Sequence, residues 1–135
     1  MSHKIDIRVY YEDTDSGGIV YYANYMKFAE RARTEYLRDL GYDHITLERE
    51  KGLFFVVRHV EADYYKPAKL DDLLAVDTQV SDVKNASFAM KQTIRRDNTV
   101  LVSMAVKLAC INKDNRPVKI PQDMKALLEK DIKEG

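Results

Sequence analysis

Residues 22–41 read YANYMKFAERARTEYLRDLG. Tyr25, Phe28, Ala29, Ala32, Tyr36, Leu37 and Leu40 recur at i, i+3, i+4, i+7, i+11, i+12 and i+15, which is one stripe of an α-helix. Glu30, Arg31, Arg33, Glu35 and Arg38 fill the polar side. Gly41 follows at once and is a natural C-cap. The spacing predicts a helix over about 22–40, the only long one before the last fifteen residues.

On either side of this helix the period is two. Upstream, Ile5, Ile7, Val9 and Tyr11 alternate with Lys4, Asp6, Arg8 and Tyr10, a strand with one buried face. Downstream, four β-type runs span 53–66, 73–83, 86–96 and 99–112. Ala86, Phe88, Met90 and Ile94 share one face of the third run. Val100, Val102, Met104, Val106, Leu108 and Cys110 share one face of the fourth. Asp97-Asn98 between these two runs reads as a two-residue hairpin turn. A short closing helix is expected over 122–133, with Met124, Leu127, Leu128 and Ile132 apolar.

The order is strand, long helix, four strands in a meander, short helix. The α/β alternation of a doubly wound sheet is missing. The pattern suits an α+β fold in which a five-stranded antiparallel sheet curls around one long central helix. One helix cannot cover both faces of such a sheet. Tyr65, Leu101 and Ile111 fall on the less apolar faces of their strands, which suggests cover by a partner subunit.

Composition narrows the function. The chain has 135 residues, the length of one domain, 1–135. Lys and Arg number 22, as do Asp and Glu, so no general field draws nucleic acid or an anionic membrane. The longest unbroken apolar run, Leu53 to Val57, is far too short to span a bilayer, and no signal-peptide run opens the chain. With the single cysteine, Cys110, which fits a reducing compartment, the expectation is a cytoplasmic protein. Cys110, on the apolar face of the last strand, reads as core.

The candidate chemistry lies in EDTDSGGIVYYANY, residues 12–25. Two aspartates, a serine and two glycines stand directly before a helix start. Glycines allow close backbone approach, and a helix start offers unpaired N–H groups. An aspartate there can act as base or nucleophile while the amides hold an oxyanion. From the residues alone the other reading stays open: Asp13 and Asp15 capping turns, with Gly17-Gly18 a bend. No His–Asp pair completes a serine triad around Ser16, and no G-x-S-x-G elbow occurs. His3, His44 and His59 have no metal spacing, His59 reads as a packed or hydrogen-bonded strand residue, and no phosphate-binding glycine loop is present.

Arg8-Val9-Tyr10-Tyr11-Glu12-Asp13-Thr14-Asp15, then Gly17-Gly18-Ile19-Val20-Tyr21-Tyr22-Ala23-Asn24-Tyr25, then Glu30-Arg31-Ala32-Arg33-Thr34-Glu35 resemble the hot-dog-fold acyl-CoA thioesterases. The likeness is to the 4-hydroxybenzoyl-CoA thioesterase branch and its Tol–Pal-associated bacterial subgroup. The resemblance implies that Asp15 is the catalytic carboxylate, acting as general base or nucleophile. Tyr22 falls where the Tol–Pal subgroup usually has histidine and the 4-hydroxybenzoyl branch has tyrosine. The backbone from Tyr22 to Asn24 would polarise the thioester carbonyl. Gly18, Tyr21, Asn24 and Tyr25 would line the substrate site, the tyrosines as an acyl wall. Lys84, Asn85 and Ser87, at a strand turn, would lie along the path of CoA. The expected reaction is hydrolysis of acyl-CoA to free acid and CoA, without metal or cofactor, by a homodimer or homotetramer. The rivals are a thioesterase acting on acyl carrier protein, which shares the phosphopantetheine arm, and a non-catalytic acyl-CoA-binding protein.

Overall fold

The structure, a computed structural model, describes residues 3–134. Five strands and one long helix form as expected: β1 (His3–Arg8), α1 (Asn24–Asp39), β2 (Phe54–Tyr64), β3 (Leu73–Val83), β4 (Ser87–Arg96) and β5 (Thr99–Ile111). A short turn of helix, α2 (His44–Thr46), runs into a π-helical turn at Leu47–Lys51, neither foreseen from the sequence. The closing helix is α3 (Gln122–Glu134). No helix among the described residues is long and apolar enough to cross a membrane.

The sheet is antiparallel, in the order β1-β3-β4-β5-β2. This corrects the four-strand meander. Only β3, β4 and β5 follow one another as hairpins, while β2 crosses to the far edge and pairs with β5. The β4–β5 turn forms at Asp97-Asn98 as expected, with Arg96 opposite Thr99 and Asp97 at φ 53°.

Helix α1 lies on the concave face and buries Tyr25, Phe28, Ala29, Ala32, Tyr36 and Leu37. They meet Val76, Met90, Ile94, Val102, Met104 and Val106 of the sheet in one core. Gly41, at φ 95°, ends the helix as expected, donating to the Arg38 carbonyl while Tyr42 donates to Leu37. Two polar side chains, Thr78 and Gln92, are buried among the described residues, between helix and sheet. Gln92 donates to the Ala29 carbonyl and the Thr78 hydroxyl and accepts from Arg33 at 3.0 Å. Burial pulls the Arg33 guanidinium below its ordinary pKa.

Three side chains depart from the period-two reading. Tyr11 is 82% exposed, because β1 stops at Arg8 and the chain turns through a 3-10 turn at Tyr11–Asp13. Val100 is exposed and Leu101 fully buried, because Leu101 is the extra residue of a β-bulge: Ile94 faces Val102 while Arg95 faces Val100. Leu101 therefore belongs to the core and marks no partner surface. The convex face is polar or small, with Lys91, Thr93, Ser103, Ala105 and Lys107. Cys110 is buried, as expected, and burial pushes its thiol up to about 11.

Candidate active site

The loop between β1 and α1 is a tight hairpin. Thr14 bridges Val20, Asp15 N–H donates to the Ile19 carbonyl, and Gly18 N–H returns to the Asp15 carbonyl at 3.0 Å. Asp-Ser-Gly-Gly suits this turn because Gly18 sits at φ 79°, where a side chain would be strained. Asp15 is exposed at its tip. Its Oδ1 accepts the Gly17 N–H at 2.8 Å, and no described residue engages Oδ2. The carboxylate is thus held by one oxygen and open to solvent through the other.

The neighbouring Asp13 is spent differently. Its Oδ2 accepts the Tyr10 N–H at 2.8 Å, and its carbonyl accepts from Tyr21 N–H and Asn24 Nδ2. Asn24 therefore fastens the loop to the helix. Its side-chain donor and its N–H, bound to the Tyr21 carbonyl at 2.8 Å, are both taken. The N–H groups of Tyr22 and Ala23 have no acceptor among the described residues. Ala23, the N-cap of α1, offers no capping side chain. Two open amides at a helix start make an anion-attracting point.

Beside them lies a mostly apolar cavity of about 330 Å³, lined by Tyr22, Tyr25, Tyr64 and Tyr65 with Ile19, Val20, Lys66 and Pro67. The Tyr64 ring stands edge-on to Tyr22, with centroids 6.3 Å apart, and tilted to Tyr25 at 5.7 Å. Tyr25 is nearly buried and its hydroxyl accepts the Ala68 N–H at 2.9 Å. Burial raises its pKa and that of Tyr64. The Tyr21 ring lies tilted against Tyr22, with centroids 4.9 Å apart, but does not line the cavity. Sequence reading missed Tyr64 and Pro67, which come from β2 and the segment after it, some forty residues away. Only the strand order brings them to the helix start. A larger groove between β1 and α1, about 730 Å³, is lined by charges of both signs, Arg8, Arg31 and Arg38 against Asp6, Glu30 and Glu35, and does not suit an apolar group.

Lys84, Asn85 and Ser87 sit at the opposite end of the sheet. Lys84 N–H closes the β3–β4 turn on the Ser87 carbonyl, and Asn85 Oδ1 accepts from Lys125. Lys84 and Ser87 border a basin of about 220 Å³ with Arg58 and Lys107. Because β3 begins beside the Asp15 loop and ends at this turn, about 33 Å separates the two within one chain. Tyr22 and Tyr25 share the cavity wall, Asn24 fastens to the helix the loop that carries Asp15 and Gly18, and Lys84, Asn85 and Ser87 lie apart from all of these.

Comparisons with known proteins agree with this architecture. The model of the thioesterase-like superfamily matches residues 9–128. The acyl-CoA thioesterase YbgC of Haemophilus influenzae is 50% identical over 121 residues, 89% of each chain. The acyl-CoA thioester hydrolase YbgC of Escherichia coli is 43% identical over 107 residues, 78% of this chain and 79% of that one. The crystal structure of a probable thioesterase from Bartonella henselae superimposes with a TM-score of 0.86 at 40% identity, covering 90% of this chain and all of the other. With that match over the helix, the sheet and the loop alike, the chain belongs to the thioesterase-like superfamily and has the hot-dog fold.

Proposed function

We propose that this protein hydrolyses acyl-CoA thioesters to a free acid and CoA, with Asp15 as the reacting carboxylate. The observation that carries this reading is the open Oδ2 of Asp15 on a turn tied to a helix start with two unpaired amides. Relatives named acyl-CoA thioesterases at 43 and 50% identity support the substrate class. The acyl group sits against the tyrosine wall and its carbonyl oxygen faces the Tyr22 and Ala23 amides. Asp15 takes a proton from water as the water oxygen attacks the carbonyl carbon. The C–S bond then breaks, and the thiolate leaves as CoA with that proton. Attack by Asp15 itself, through an anhydride that water opens, uses the same geometry. General-base assistance supplies about 10²–10⁴ in rate and one oxyanion donor about 3 kcal/mol. Tyr22 contributes its amide and one wall of the cavity.

CoA carries phosphates, and the cluster of Lys84 with Arg58 and Lys107 is remote from Asp15 in one chain, while a single cation, Lys66, borders the tyrosine cavity. We therefore place the site between two copies, each supplying one end. The outer edge of β2 supports such pairing. It is eleven residues long, is unpaired on one side, and exposes Val56, Val57 and Val60. Thiol release measured over a panel of acyl-CoAs tests the activity. No release from any member, with the folded protein intact, rejects it in favour of a binding protein.

A further inference from the structure

Asp15 stands on an exposed four-residue turn, yet a reacting group misplaced by about 1 Å costs about 100-fold in rate. Something outside the turn must hold it. The segment 65–72, YKPAKLDD, lies against its return limb. Ile19 bridges Lys69, Val20 N–H donates to the Ala68 carbonyl at 2.9 Å, and Leu70 N–H reaches the Gly18 carbonyl at 3.3 Å. This segment belongs to no strand of the sheet and is fastened point by point. Tyr65 and Lys66 N–H donate to the carbonyl of the bulged Leu101. Ala68 N–H donates to the Tyr25 hydroxyl. Asp71 N–H donates to the Val9 carbonyl, and Arg8 Nη1 reaches the Asp71 carbonyl at 2.7 Å.

The segment's own turn closes at Asp72. Its Oδ2 accepts both the Lys69 N–H at 2.8 Å and Arg96 Nη1 at 2.6 Å. Arg96, beside the Asp97-Asn98 turn of the β4–β5 hairpin, also reaches the Pro67 carbonyl. One carboxylate oxygen thus ties Lys69, the residue opposite Ile19, to the last residue of β4. Neither Asp72 nor Arg96 lines the tyrosine cavity.

We propose that residues 65–72 brace the Asp15 turn and that Asp72, clamped by Arg96, is the positioning residue that sets the carboxylate for reaction. The proposal rests on Asp15 being the reacting group. Asp72 touches no substrate. Its loss loosens the partner of the turn without removing any apolar core contact.

The test is steady-state thiol release by the full chain with an acyl-CoA that it turns over, for Asp72→Ala, Asp72→Asn, Arg96→Gln and Asp15→Asn, with circular dichroism on each. Asp72→Ala should lower kcat about 10- to 100-fold with KM within about threefold, because only placement is lost. Asp72→Asn keeps an oxygen that accepts from both donors and should stay within about threefold of the parent. Arg96→Gln leaves the Lys69 bond intact and should lower kcat less, in the same direction, which decides the matter should Asp72→Ala fail to fold. In the Asp15→Asn background, Asp72→Ala should cause no further loss. An unchanged kcat in Asp72→Ala or Arg96→Gln, an Asn variant as impaired as the Ala variant, or an undiminished further loss in the Asp15→Asn background overturns the brace. Full activity of Asp15→Asn alone instead overturns the assignment of Asp15, and the two failures are read from different variants.

Discussion

At Asp15 one oxygen is fixed by Gly17 and the other faces solvent, and the side chain's use follows from that division. Asparagine preserves the Gly17 contact and the turn but can neither accept a proton from water nor attack a carbonyl. Asp15→Asn should therefore lose about 10²–10⁴ in kcat while its circular dichroism and acyl-CoA binding stay those of the parent. Retention of more than about a tenth of the activity would contradict the proposed role. Asp13, two residues away, holds the Tyr10 N–H with its side chain, so Asp13→Ala, which keeps the carbonyl contacts, should loosen the start of the loop as well as slow turnover. The sequence showed two aspartates in one loop. Which of them is open could not be read there, because it depends on where Tyr10, Tyr21 and Asn24 come to rest. Asp72 carries a pH signature. Burial works to raise its pKa, but the Lys69 amide and the Arg96 guanidinium together hold it below the ordinary value. A depressed carboxyl stabilises the fold fully above its unfolded pKa, about 3.9, and loses that contribution as pH falls through the folded value. The stability gap between the parent and Asp72→Asn, followed by urea titration, should accordingly be constant from pH 8 to 5 and shrink below about pH 4. A gap that widened in acid would mean the carboxylate is not held in this way.

Among the elements, α1 was fully legible, since seven apolar residues at helical spacing and a terminal glycine leave little choice. Strand existence was legible from alternation, and β3 runs over the residues expected for it. Strand order was not. Nothing local in 65–72 says that the chain crosses to the far edge rather than turning back, because its bonds are to Leu101, Tyr25 and Val9, all distant in sequence. Bulges at Arg58, Ser81 and Leu101 were equally hidden, each moving a neighbour to the other face. Gln92 shows the same limit. It falls in phase with Phe88, Met90 and Ile94, where a polar residue looks out of place, yet it ties α1 to β3 and β4. Gln92→Leu keeps the volume and strips Arg33 and Thr78 of a partner, while the helical Ala29 carbonyl loses only its second one. Leaving such groups buried and unpaired costs about 1–3 kcal/mol each. The urea midpoint should fall with an unchanged slope. A variant as stable as the parent would mean that water satisfies Arg33 instead.

For the whole molecule, the electrostatic and geometric facts press towards an assembly. The chain has no net charge, its tyrosine cavity lies at one end of the sheet, and Lys84 lies at the other. Pairing of two copies through β2 would let one supply the carboxylate and the other the cations. Sedimentation at micromolar concentration should give at least twice 15.7 kDa, and Val57→Lys on the open edge should shift it towards the single chain with loss of activity. A fully active monomer rules this arrangement out. The charge itself is tested by Lys84→Glu. A cation on an exposed rim acts on a phosphate through a field that salt screens within about 8 Å at physiological ionic strength. In the proposed complex it meets the nucleotide end and not the reacting carbonyl, so reversal of its sign should weaken binding of ground and transition states alike. KM for acyl-CoA should rise more than kcat falls, and the penalty should shrink as salt is added. A pantetheine thioester, which lacks the nucleotide phosphates, should not register the substitution. Equal losses on both substrates would mean that Lys84 acts through the β3–β4 turn, whose closing bond it donates to Ser87, and the cation would have no part in holding CoA.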